Sequence, residues 1–569
     1  MRFVVLDLET FFTNEKDSRG VEYRLKRQNE NACTTEEYIR HPWFQAHGAA
    51  IKWSKDHAAK WYAEKQLRYV LAQEDWSDVC LICHHQHFDG FILSHHYGVV
   101  PKMYACTLSM ARLLLGNHIS VSLDSVRAQY GFPAKRTPYN LFRGKKWGEL
   151  DRQTQSLIAE GACDEVESIW KLFGILAKDF PKEEYLIVDQ TVRMFTQPVL
   201  RADTALLAKI WEKEEHEKRN RLHDLGIDGA ALRSADRFAD LLRAQGIEPE
   251  TKEGPPRKDG TRGTIFAFAR GDPFMEELLD HEDPVVRALA EARLGEKSNI
   301  MQTRAETLGF MASRGPLCVY LRYCGAATLR PAGGDASNFL NLKRGAPIRR
   351  ALLAPKGYLL GPIDASQIEF RVAMDLAGQS DILGMMRQGV DFYIKLASEI
   401  YNEEIYRPAK DDPRRLEMEQ KRGCGKQGFL MCVYGAAAKR YQATARAGLY
   451  GPPVNMSLEE AARHVQIARD MMPAVTARNT GYWAQCERVI ARLAGGPPME
   501  WGPFLVKDHR LILPNGLAMI YDTLEFHRPD ADENCRDFER DGYWRWRGRH
   551  GWKKIWGSKL TQNICEMVS

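Results

Sequence analysis

The chain has 569 residues, of which 44% are hydrophobic and 27% are charged. This ordinary globular composition excludes a largely disordered protein, and the length predicts about three to four domains. The formal net charge of +5 is mild, so it permits a nucleic-acid partner without indicating one, and local basic patches must carry that inference.

The N-terminus, MRFVVLDLETFF, lacks the layout of a signal peptide, and no apolar run approaches the ~18 residues of a membrane span. We therefore expect a cytoplasmic protein without a membrane partner, whose twelve cysteines stay reduced. Cys80 and Cys83 precede two histidines, which are zinc-ligand types, but no second ligand pair follows at a zinc-finger spacing. A buried strand over 79–83 is the simpler interpretation.

Acidic residues follow the first predicted strands. Residues 3–8 form an apolar strand, and the alternation of side chains places Asp7 and Glu9 on the same face. A third acid, Asp89, follows the next buried strand, and a fourth, Asp164, lies in a helical segment over 160–176. Adjacent carboxylates repel each other unless a cation joins them, so this pattern is typical of a metal site.

Four acids in this order resemble those of the DEDD 3′ to 5′ exonucleases, which have a ribonuclease H-like fold. The segments 107–112 and 122–124 also match that family. The resemblance implies that the four acids hold two Mg²⁺ or Mn²⁺ ions, which activate water and stabilise the leaving 3′ oxygen. The chain departs from the family pattern at His85, where Asn is common, and at Glu160 and Gly161, where Tyr or His usually precedes the last acid. The residue that orients the attacking water is therefore not identified.

A connector over 185–200 leads into a helical pattern that begins near Asp203, followed by a basic loop over 252–270 and a second helical segment that ends near Arg293. Charged residues on a helix usually form a solvated face.

An apolar run over 358–360 predicts a buried strand that leads to Asp364, where a carboxylate can face a cleft. The sequence DASQIEFR over 364–371 then turns into a helical pattern that carries Glu369. Asp364 is thus a metal-ligand candidate, and its alternative role is to cap the following helix.

The stretch KRGCGKQGFLMCVYG over 421–435 carries Arg422, Lys426, Leu430 and Tyr434 at every fourth position, on one helical face. Three glycines inside this stretch each cost a helix roughly 1 kcal/mol, which a simple core helix does not explain. Two cations one turn apart suit a polyphosphate, and the apolar and aromatic positions suit a base and a sugar.

Together these two stretches resemble motifs A and B of family A DNA polymerases, the bacterial polymerase I class, and the chain resembles a phage-type member. The resemblance implies that Asp364 and the carbonyl of Ala365 bind two catalytic Mg²⁺ ions. Glu369 would exclude ribonucleotides through its contact with Tyr434. Arg422 and Lys426 would bind the triphosphate, and Leu430 stands where many members carry Phe or Tyr.

The same resemblance makes residues 186–325 a thumb and implies several DNA contacts. Primer and template contacts in the palm are expected at Arg330, Asn338, Asn341 and Arg349, although an Asn-rich turn is the alternative interpretation of this region. Residues 556–558 resemble the lead into a later helix, which would place Gln562 and Asn563 near the template and primer terminus. Aromatic and cationic residues alternate over 540–559, which suits either a nucleic-acid strand or a twisted hairpin.

In the family, a later hairpin carries a His-Asp-Glu motif whose Asp is the second metal ligand. No such motif follows motif B in these 569 residues. One carboxylate holds two cations ~4 Å apart poorly, so we expect a truncated or incompletely represented polymerase. An exonuclease alone, or an inactive protein that binds DNA and dNTPs, is the alternative.

The sequence thus predicts an α/β and α+β multidomain protein, with a ribonuclease H-like domain and a right-hand polymerase. The expected function is a replicative DNA-templated DNA polymerase with a 3′ to 5′ proofreading exonuclease. It would act as a monomer on primer-template DNA and dNTPs, in a bacterial host cell if a phage encodes it. The predicted units are an exonuclease domain over 1–185, a thumb and connector over 186–325, a palm over 326–375, fingers over 376–475, and a palm continuation over 476–569.

Overall fold

A computed structural model describes residues 1–26, 30–116, 118–256, 261–269, 272–279, 281–297, 300–335, 337–342, 345–530, 535, 539–548 and 551–569. The outer part of the predicted basic loop, at residues 257–260 and 270, lies outside these ranges.

The N-terminal part is built on one mixed five-stranded sheet. The sheet has the order β5-β4-β1-β6-β7, in which β1 runs antiparallel to β4 and parallel to β6. Its strands, with a small separate pair β2 and β3, are β1 Arg2–Thr10, β2 Glu22–Leu25, β3 Ala32–Cys33, β4 Ala46–Trp53, β5 Lys60–Ala63, β6 Val79–Cys83 and β7 Met103–Cys106. The strands predicted at 3–8 and 79–83 are therefore confirmed as β1 and β6.

Eight helices accompany this sheet in the described part of the chain. They are α1 Thr35–Ile39, α2 Glu64–Ala72, α3 Gln86–Tyr97, α4 Thr107–Leu115, α5 Leu123–Gln129, α6 Tyr139–Phe142, α7 Arg152–Leu176 and α8 Glu184–Thr196. The longest, α7, begins where the Asp151 carboxylate accepts a hydrogen bond from the Thr154 N–H. Its buried side packs against β1 and β4, so one face of α7 borders the middle of the sheet.

The next region is helical and carries a core of its own at its far end. Its elements are β8 Arg201–Ala202, α9 Thr204–Leu225, α10 Gly229–Arg233, α11 Ala235–Arg243, β9 Thr251–Pro256, β10 Arg262–Phe266, α12 Pro273–Leu279, α13 Pro284–Lys297 and α14 Ile300–Arg314. The helix predicted from Asp203 is confirmed, because the Asp203 carboxylate caps α9. The long helices α9 and α14 pack on each other, and β9 and β10 form a hairpin in place of a simple loop.

Short elements then lead into a second helical body. They are β11 Leu321–Arg322, β12 Ala332–Gly333, α15 Pro347–Arg350 and β13 Leu352–Leu353, followed by α16 Ile368–Ala377, α17 Ser380–Arg387, α18 Phe392–Tyr401, α19 Arg415–Cys432, α20 Ala438–Arg446, α21 Leu458–Asp470, α22 Pro473–Thr476 and α23 Tyr482–Leu493. Helices α16 to α22 share one core, which also receives Cys565 from the last helix.

The C-terminal part contains two antiparallel sheets and a final helix. Its elements are β14 Met499–Trp501, β15 Phe504–Lys507, β16 Arg510–Ile512, β17 Ala518–Ile520, β18 Glu525–His527, β19 Tyr543–Gly548, β20 Gly551–Ile555 and α24 Gly557–Val568. The predicted hairpin over 540–559 is formed by β19 and β20. Helix α24 packs between α16 and α23, which brings the chain end against the segment predicted as motif A. In the described ranges, no helix combines the length and apolarity that crossing a bilayer requires.

The predicted buried strand before Asp364 is wrong. Residues 354–367 contain neither helix nor strand, and Leu359 and Ile363 are 97% and 98% exposed. A strand forms only where a neighbouring strand pairs with its backbone, and none of the described strands lies beside this run. The apolar composition of residues 358–360 therefore does not lead to a strand, because no described strand pairs with them.

The glycines of α19 have a packing reason that the sequence did not reveal. A Cβ at Gly425 would collide with the carbonyl oxygen of Tyr393, and one at Gly428 would lie 2.7 Å from Leu396. Both neighbours belong to α18, so the glycines allow the two helices to approach closely. This close contact buries one side of α19 and restricts which of its residues face outward.

We predict that Gly425→Ala destabilises the protein by about 1–3 kcal/mol, because the added methyl group overpacks the α18–α19 contact. The matched control is Gly384→Ala in α17, where no atom lies within 4 Å of the added Cβ. That substitution should stabilise by up to about 1 kcal/mol through helix propensity. Urea unfolding of both variants measures the difference, and equal stabilities would contradict the packing account.

Candidate active sites

A cavity of about 980 Å³ opens beside the central strand of the N-terminal sheet. Asp7 and Glu9 of β1 project into it from alternate positions of the strand, as predicted. Asp89 of α3 joins them and accepts a hydrogen bond from the Leu8 N–H at 3.2 Å. The structure therefore brings together three of the four acids that the sequence singled out.

The fourth predicted acid, Asp164, does not line this cavity. Its carboxylate is ion-paired with the buried Arg127 at 2.8 Å, and the adjacent Glu165 lines the cavity in its place. Successive helical residues point about 100° apart, so only one of the two can face β1. We correct the acid set to Asp7, Glu9, Asp89 and Glu165.

The four carboxylates strongly perturb one another. Burial, followed by repulsion from Glu165, raises the pKa of Asp7 well above its usual range and that of Glu9 to about 8. Burial also raises the pKa of Asp89 to about 7, although the Leu8 N–H opposes this shift. Three acids with raised pKa values in one cavity form a site that attracts a cation.

A cation of the protein itself already lies among these acids. The Lys135 ammonium is 2.5 Å from a carboxylate oxygen of Glu165, and it also interacts with Asp7 and Glu9. Although burial opposes its charge, these anions raise the pKa of Lys135, so it stays protonated. Lys135 thus holds Glu165 and offsets part of the repulsion.

His85, which replaces the expected Asn, borders the same cavity. Its backbone is left-handed, with φ of 104°, and its Nε2 lies 2.8 Å from the Tyr320 hydroxyl. Burial lowers the pKa of His85 to about 4, so the ring is neutral at pH 7. A strained backbone at a cavity wall is typical of functional sites. The contact also connects this cavity with the segment that follows α14.

The oxygen-rich donor set suits Mg²⁺ or Mn²⁺, which prefer carboxylate ligands. The described residues nevertheless contain no group of three or more His, Cys, Asp or Glu side chains arranged as a ready-made metal site. Lys135 lies among the acids instead. The residue types therefore fit divalent cations, while the coordination geometry is not preformed.

The second candidate site is the outward stripe of α19 and the turn that follows it. Arg422, Lys426, Leu430 and Tyr434 are half-buried, whereas the residues between Arg422 and Tyr434 are otherwise buried. The structure thus places all four predicted residues on one accessible face. Arg422 is ion-paired with Asp391 at 2.9 Å, and the Lys426 ammonium lies 5.6 Å from the centre of the Tyr450 ring.

The residues predicted as motif A are less organised. Asp364 and Ala365 lie on the exposed stretch before α16, so no packed element orients the Asp364 carboxylate. Glu369, at the start of α16, forms an ion pair with Arg330 at 2.7 Å. The expected contact of Glu369 with Tyr434 is not among the hydrogen bonds of the described residues. The Tyr434 hydroxyl lies beside the Cys565 thiol, within electrostatic range of Glu369.

The four predicted DNA contacts outside α24 have different surroundings. Arg330 donates to the Glu566 carbonyl at 2.9 Å and to the Ser569 hydroxyl at 2.6 Å, so it ties the end of α24 to the second site. Asn338 caps a short 3₁₀ turn that includes Asn341. Arg349 lies apart from both, exposed on α15.

The two candidates on α24 have different surroundings. Gln562 is half-buried and donates to the Glu566 carboxylate at 2.7 Å, on the surface of the same helix. Asn563 is buried and donates to the Tyr521 hydroxyl at 3.1 Å. The side chain of Asn563 therefore supports the core in this structure and does not face a DNA strand, which corrects its predicted role.

Three functional candidates were missed in the sequence: Lys135, Tyr139 and Glu165. Lys135 and Tyr139 lie in a segment without periodicity, KRTPY over 135–139, so no pattern predicted their position. Glu165 directly follows Asp164, and the order of acids alone does not distinguish the two. The sequence showed two adjacent acids on one predicted helix, but it did not show which side of that helix faces the sheet.

No protein-family model matches the chain. It is 26% identical over 286 residues to the thermostable DNA polymerase I of Thermus thermophilus, which covers 47% of this chain and 32% of that enzyme. It is 29% identical over 151 residues to the corresponding enzyme of Thermus aquaticus, covering 26% of this chain and 17% of the enzyme. The matches thus span about a sixth to a third of these relatives' length.

Among solved structures, the POL domain of Pol1 from M. smegmatis, in complex with DNA primer-template and dNTP, matches with a TM-score of 0.57 and 16% identity. The match covers 92% of this chain and 80% of that one. The chain therefore has the fold of a DNA polymerase domain, and its sequence is similar to DNA polymerase I. The predicted multidomain fold class is confirmed.

We predict a specific pH dependence for the four-acid cavity. With a pKa of about 8 in the folded state against 4.5 for an ordinary Glu, Glu9 binds a proton that the unfolded chain has lost. Its contribution to the free energy of unfolding should therefore fall as the pH rises between these values. In EDTA at pH 8, Glu9→Gln should raise the Tm by about 2 °C or more, with a smaller difference at pH 5.

The control for this measurement is Glu64→Gln, on the surface of α2, which should leave the Tm unchanged at both pH values. Mg²⁺ should stabilise the wild-type protein more than Glu9→Gln at pH 8, because only the wild type offers the Glu9 carboxylate. A Tm difference between wild type and Glu9→Gln that does not change with pH would contradict the raised pKa of Glu9.

Proposed function

We propose that this protein is a DNA-templated DNA polymerase with a 3′ to 5′ proofreading exonuclease. The observation that carries the polymerase proposal is the accessible stripe of α19 on a chain with a polymerase-domain fold. The four-acid cavity supports the exonuclease. The similarity to DNA polymerase I enzymes favours this function over an exonuclease alone or an inactive DNA-binding protein.

In the exonuclease site, Asp7, Glu9, Asp89 and Glu165 would hold two Mg²⁺ ions, which activate water and stabilise the leaving 3′ oxygen. The protein contributes by collecting the four acids at one cavity and by holding Glu165 through Lys135.

In the polymerase site, Arg422 and Lys426 would bind the dNTP triphosphate while Leu430 and Tyr434 contact the base and sugar. Arg422 must share or exchange its ion pair with Asp391 when a triphosphate binds. The primer 3′ hydroxyl would attack the α-phosphate, and positioning and charge neutralisation would supply most of the rate. Asp364, with the Ala365 carbonyl, is the proposed metal ligand there.

The finer assignments are also proposals. Primer-template DNA and dNTPs are the expected partners, Mg²⁺ is the expected cofactor, and a monomer in the cytoplasm is the expected form. The phage-type, replicative assignment depends on motifs A and B. Among the DNA contacts, Arg330, Asn338, Asn341, Arg349 and Gln562 are retained.

Lys426→Ala tests the nucleotide site. We predict that it weakens dNTP binding by about tenfold, as the loss of one charge-assisted contact requires, and leaves primer-template affinity nearly unchanged. The measurement is equilibrium dNTP binding to the complex with a dideoxy-terminated primer, which needs no chemistry. Lys395→Ala, at an exposed position of α18, is the control. Equal losses of dNTP and DNA affinity would instead indicate a general phosphate-binding patch.

A pair of neighbouring substitutions tests the exonuclease site. Glu165→Gln should lower the rate of 3′ end degradation by about 100-fold, since a metal-ligand carboxylate is lost, with little change in Tm. Asp164→Asn should lower the Tm by leaving the buried Arg127 unpaired, with a smaller loss of rate. The Asp7→Ala/Glu9→Ala double variant should be inactive. Intact nucleolysis in the double variant would refute the exonuclease assignment.

A further inference from the structure

One turn before Glu165, helix α7 carries a residue without a side chain. A Cβ at Gly161 would lie 2.6 Å from the Thr137 hydroxyl and 2.9 Å from the Thr137 Cα. The segment 135–139 therefore packs directly onto the helix backbone at this point. A large side chain at position 161, such as a tyrosine, is excluded because the segment occupies its space.

The segment that occupies this space faces the acids through three side chains. Lys135 contacts one oxygen of Glu165, and the Thr137 hydroxyl donates to the other at 2.5 Å. The Tyr139 hydroxyl lies 3.5 Å from that second oxygen and also hydrogen-bonds to the Glu9 side chain. Tyr139 thus reaches the acids of β1 and of α7 from a third element.

The position of this segment is itself tightly held. The Arg127 guanidinium donates to the Pro133 carbonyl at 2.7 Å and to the Asp164 carboxylate at 2.8 Å. Asp164 is thus linked through Arg127 to Pro133, two residues before the segment, and Thr137 in the middle of the segment packs on Gly161. This arrangement gives Tyr139 a defined place at the cavity wall.

Other groups around the cavity are less suited to orient a water molecule. The Tyr38 hydroxyl already donates to the Phe11 carbonyl at 2.6 Å and contacts Thr10 at 2.7 Å. His85 Nε2 is engaged with Tyr320. The Lys135 ammonium has three donors and no acceptor, so it cannot accept a hydrogen bond from water. A phenol both donates and accepts.

We propose that Tyr139 orients the attacking water in the exonuclease reaction, in place of a residue that α7 does not supply. The inference depends on the exonuclease function proposed above. The Tyr139 O–H donates to a carboxylate, and its oxygen accepts a hydrogen bond from the water, which aims a water lone pair at the phosphorus.

The reaction to which Tyr139 contributes is hydrolysis of the 3′-terminal phosphodiester. The water oxygen forms a bond to phosphorus, and the bond between phosphorus and the preceding 3′ oxygen breaks. One water proton is released to solvent through a cavity carboxylate, and the leaving 3′ oxygen takes up a proton. The products are a nucleoside 5′-monophosphate and a strand shortened by one nucleotide with a free 3′ hydroxyl.

The test is Tyr139→Phe in the full chain, which removes the hydroxyl and keeps the ring. We expect kcat for degradation of a 3′-labelled single-stranded oligonucleotide to fall by about 100-fold, the usual effect of removing one positioned hydrogen-bonding group. KM for the oligonucleotide and the Mg²⁺ affinity from calorimetric titration should not change. Tyr69→Phe, 69% exposed on α2, should match the wild type in every measurement.

The outcomes separate this inference from the proposed function. A wild-type chain without nucleolysis would overturn the exonuclease function and this role together. An active wild type with an equally active Tyr139→Phe variant would overturn the role alone. A rate loss that is matched by loss of Mg²⁺ affinity would also overturn it, because Tyr139 would then act on the acids rather than on the water. A loss confined to kcat supports the inference.

Discussion

The mutual repulsion of four carboxylates in one buried cavity is the constraint around which the N-terminal half is arranged. Asp7 and Glu9 lie on the central strand, Asp89 on α3 and Glu165 on α7, and burial together with repulsion raises the pKa values of Asp7, Glu9 and Asp89. Lys135 reduces that repulsion from a segment without regular structure. A bound divalent cation would reduce this repulsion further.

Close packing has a comparable role in the second half. From Gly423 to its end at Cys432, α19 is buried except at Lys426 and Leu430. Gly425 and Gly428 allow α18 to approach its backbone. What remains accessible is a stripe one residue wide at every fourth position. The cations of that stripe are consequently held at a fixed separation, which is what recognition of a polyphosphate requires. Packing thus determines which residues of α19 are left accessible at the proposed nucleotide site.

One short stretch of chain connects the two sites. Tyr320 hydrogen-bonds to His85 at the four-acid cavity, and Arg330 pairs with Glu369 and with the end of α24 at the other site. The residues between them include β11, which pairs with β12. In contrast, the stretch that carries Asp364 has no packed neighbour to orient it. The four-acid cavity is therefore the better organised of the two candidate sites in the described chain.

The sequence alone determined the features that depend on local pattern. The alternation along β1 placed Asp7 and Glu9 together, and the spacing of four along α19 placed its cations on one face, because both periodicities are properties of the backbone. Tertiary structure decided the rest. Whether Asp164 or Glu165 faces the cavity depends on how α7 is rotated against the sheet. Whether residues 358–360 form a strand depends on a partner strand, because the backbone groups of a strand form their hydrogen bonds with a neighbouring strand. The place of Tyr139 depends on the space left at Gly161, which no local pattern records.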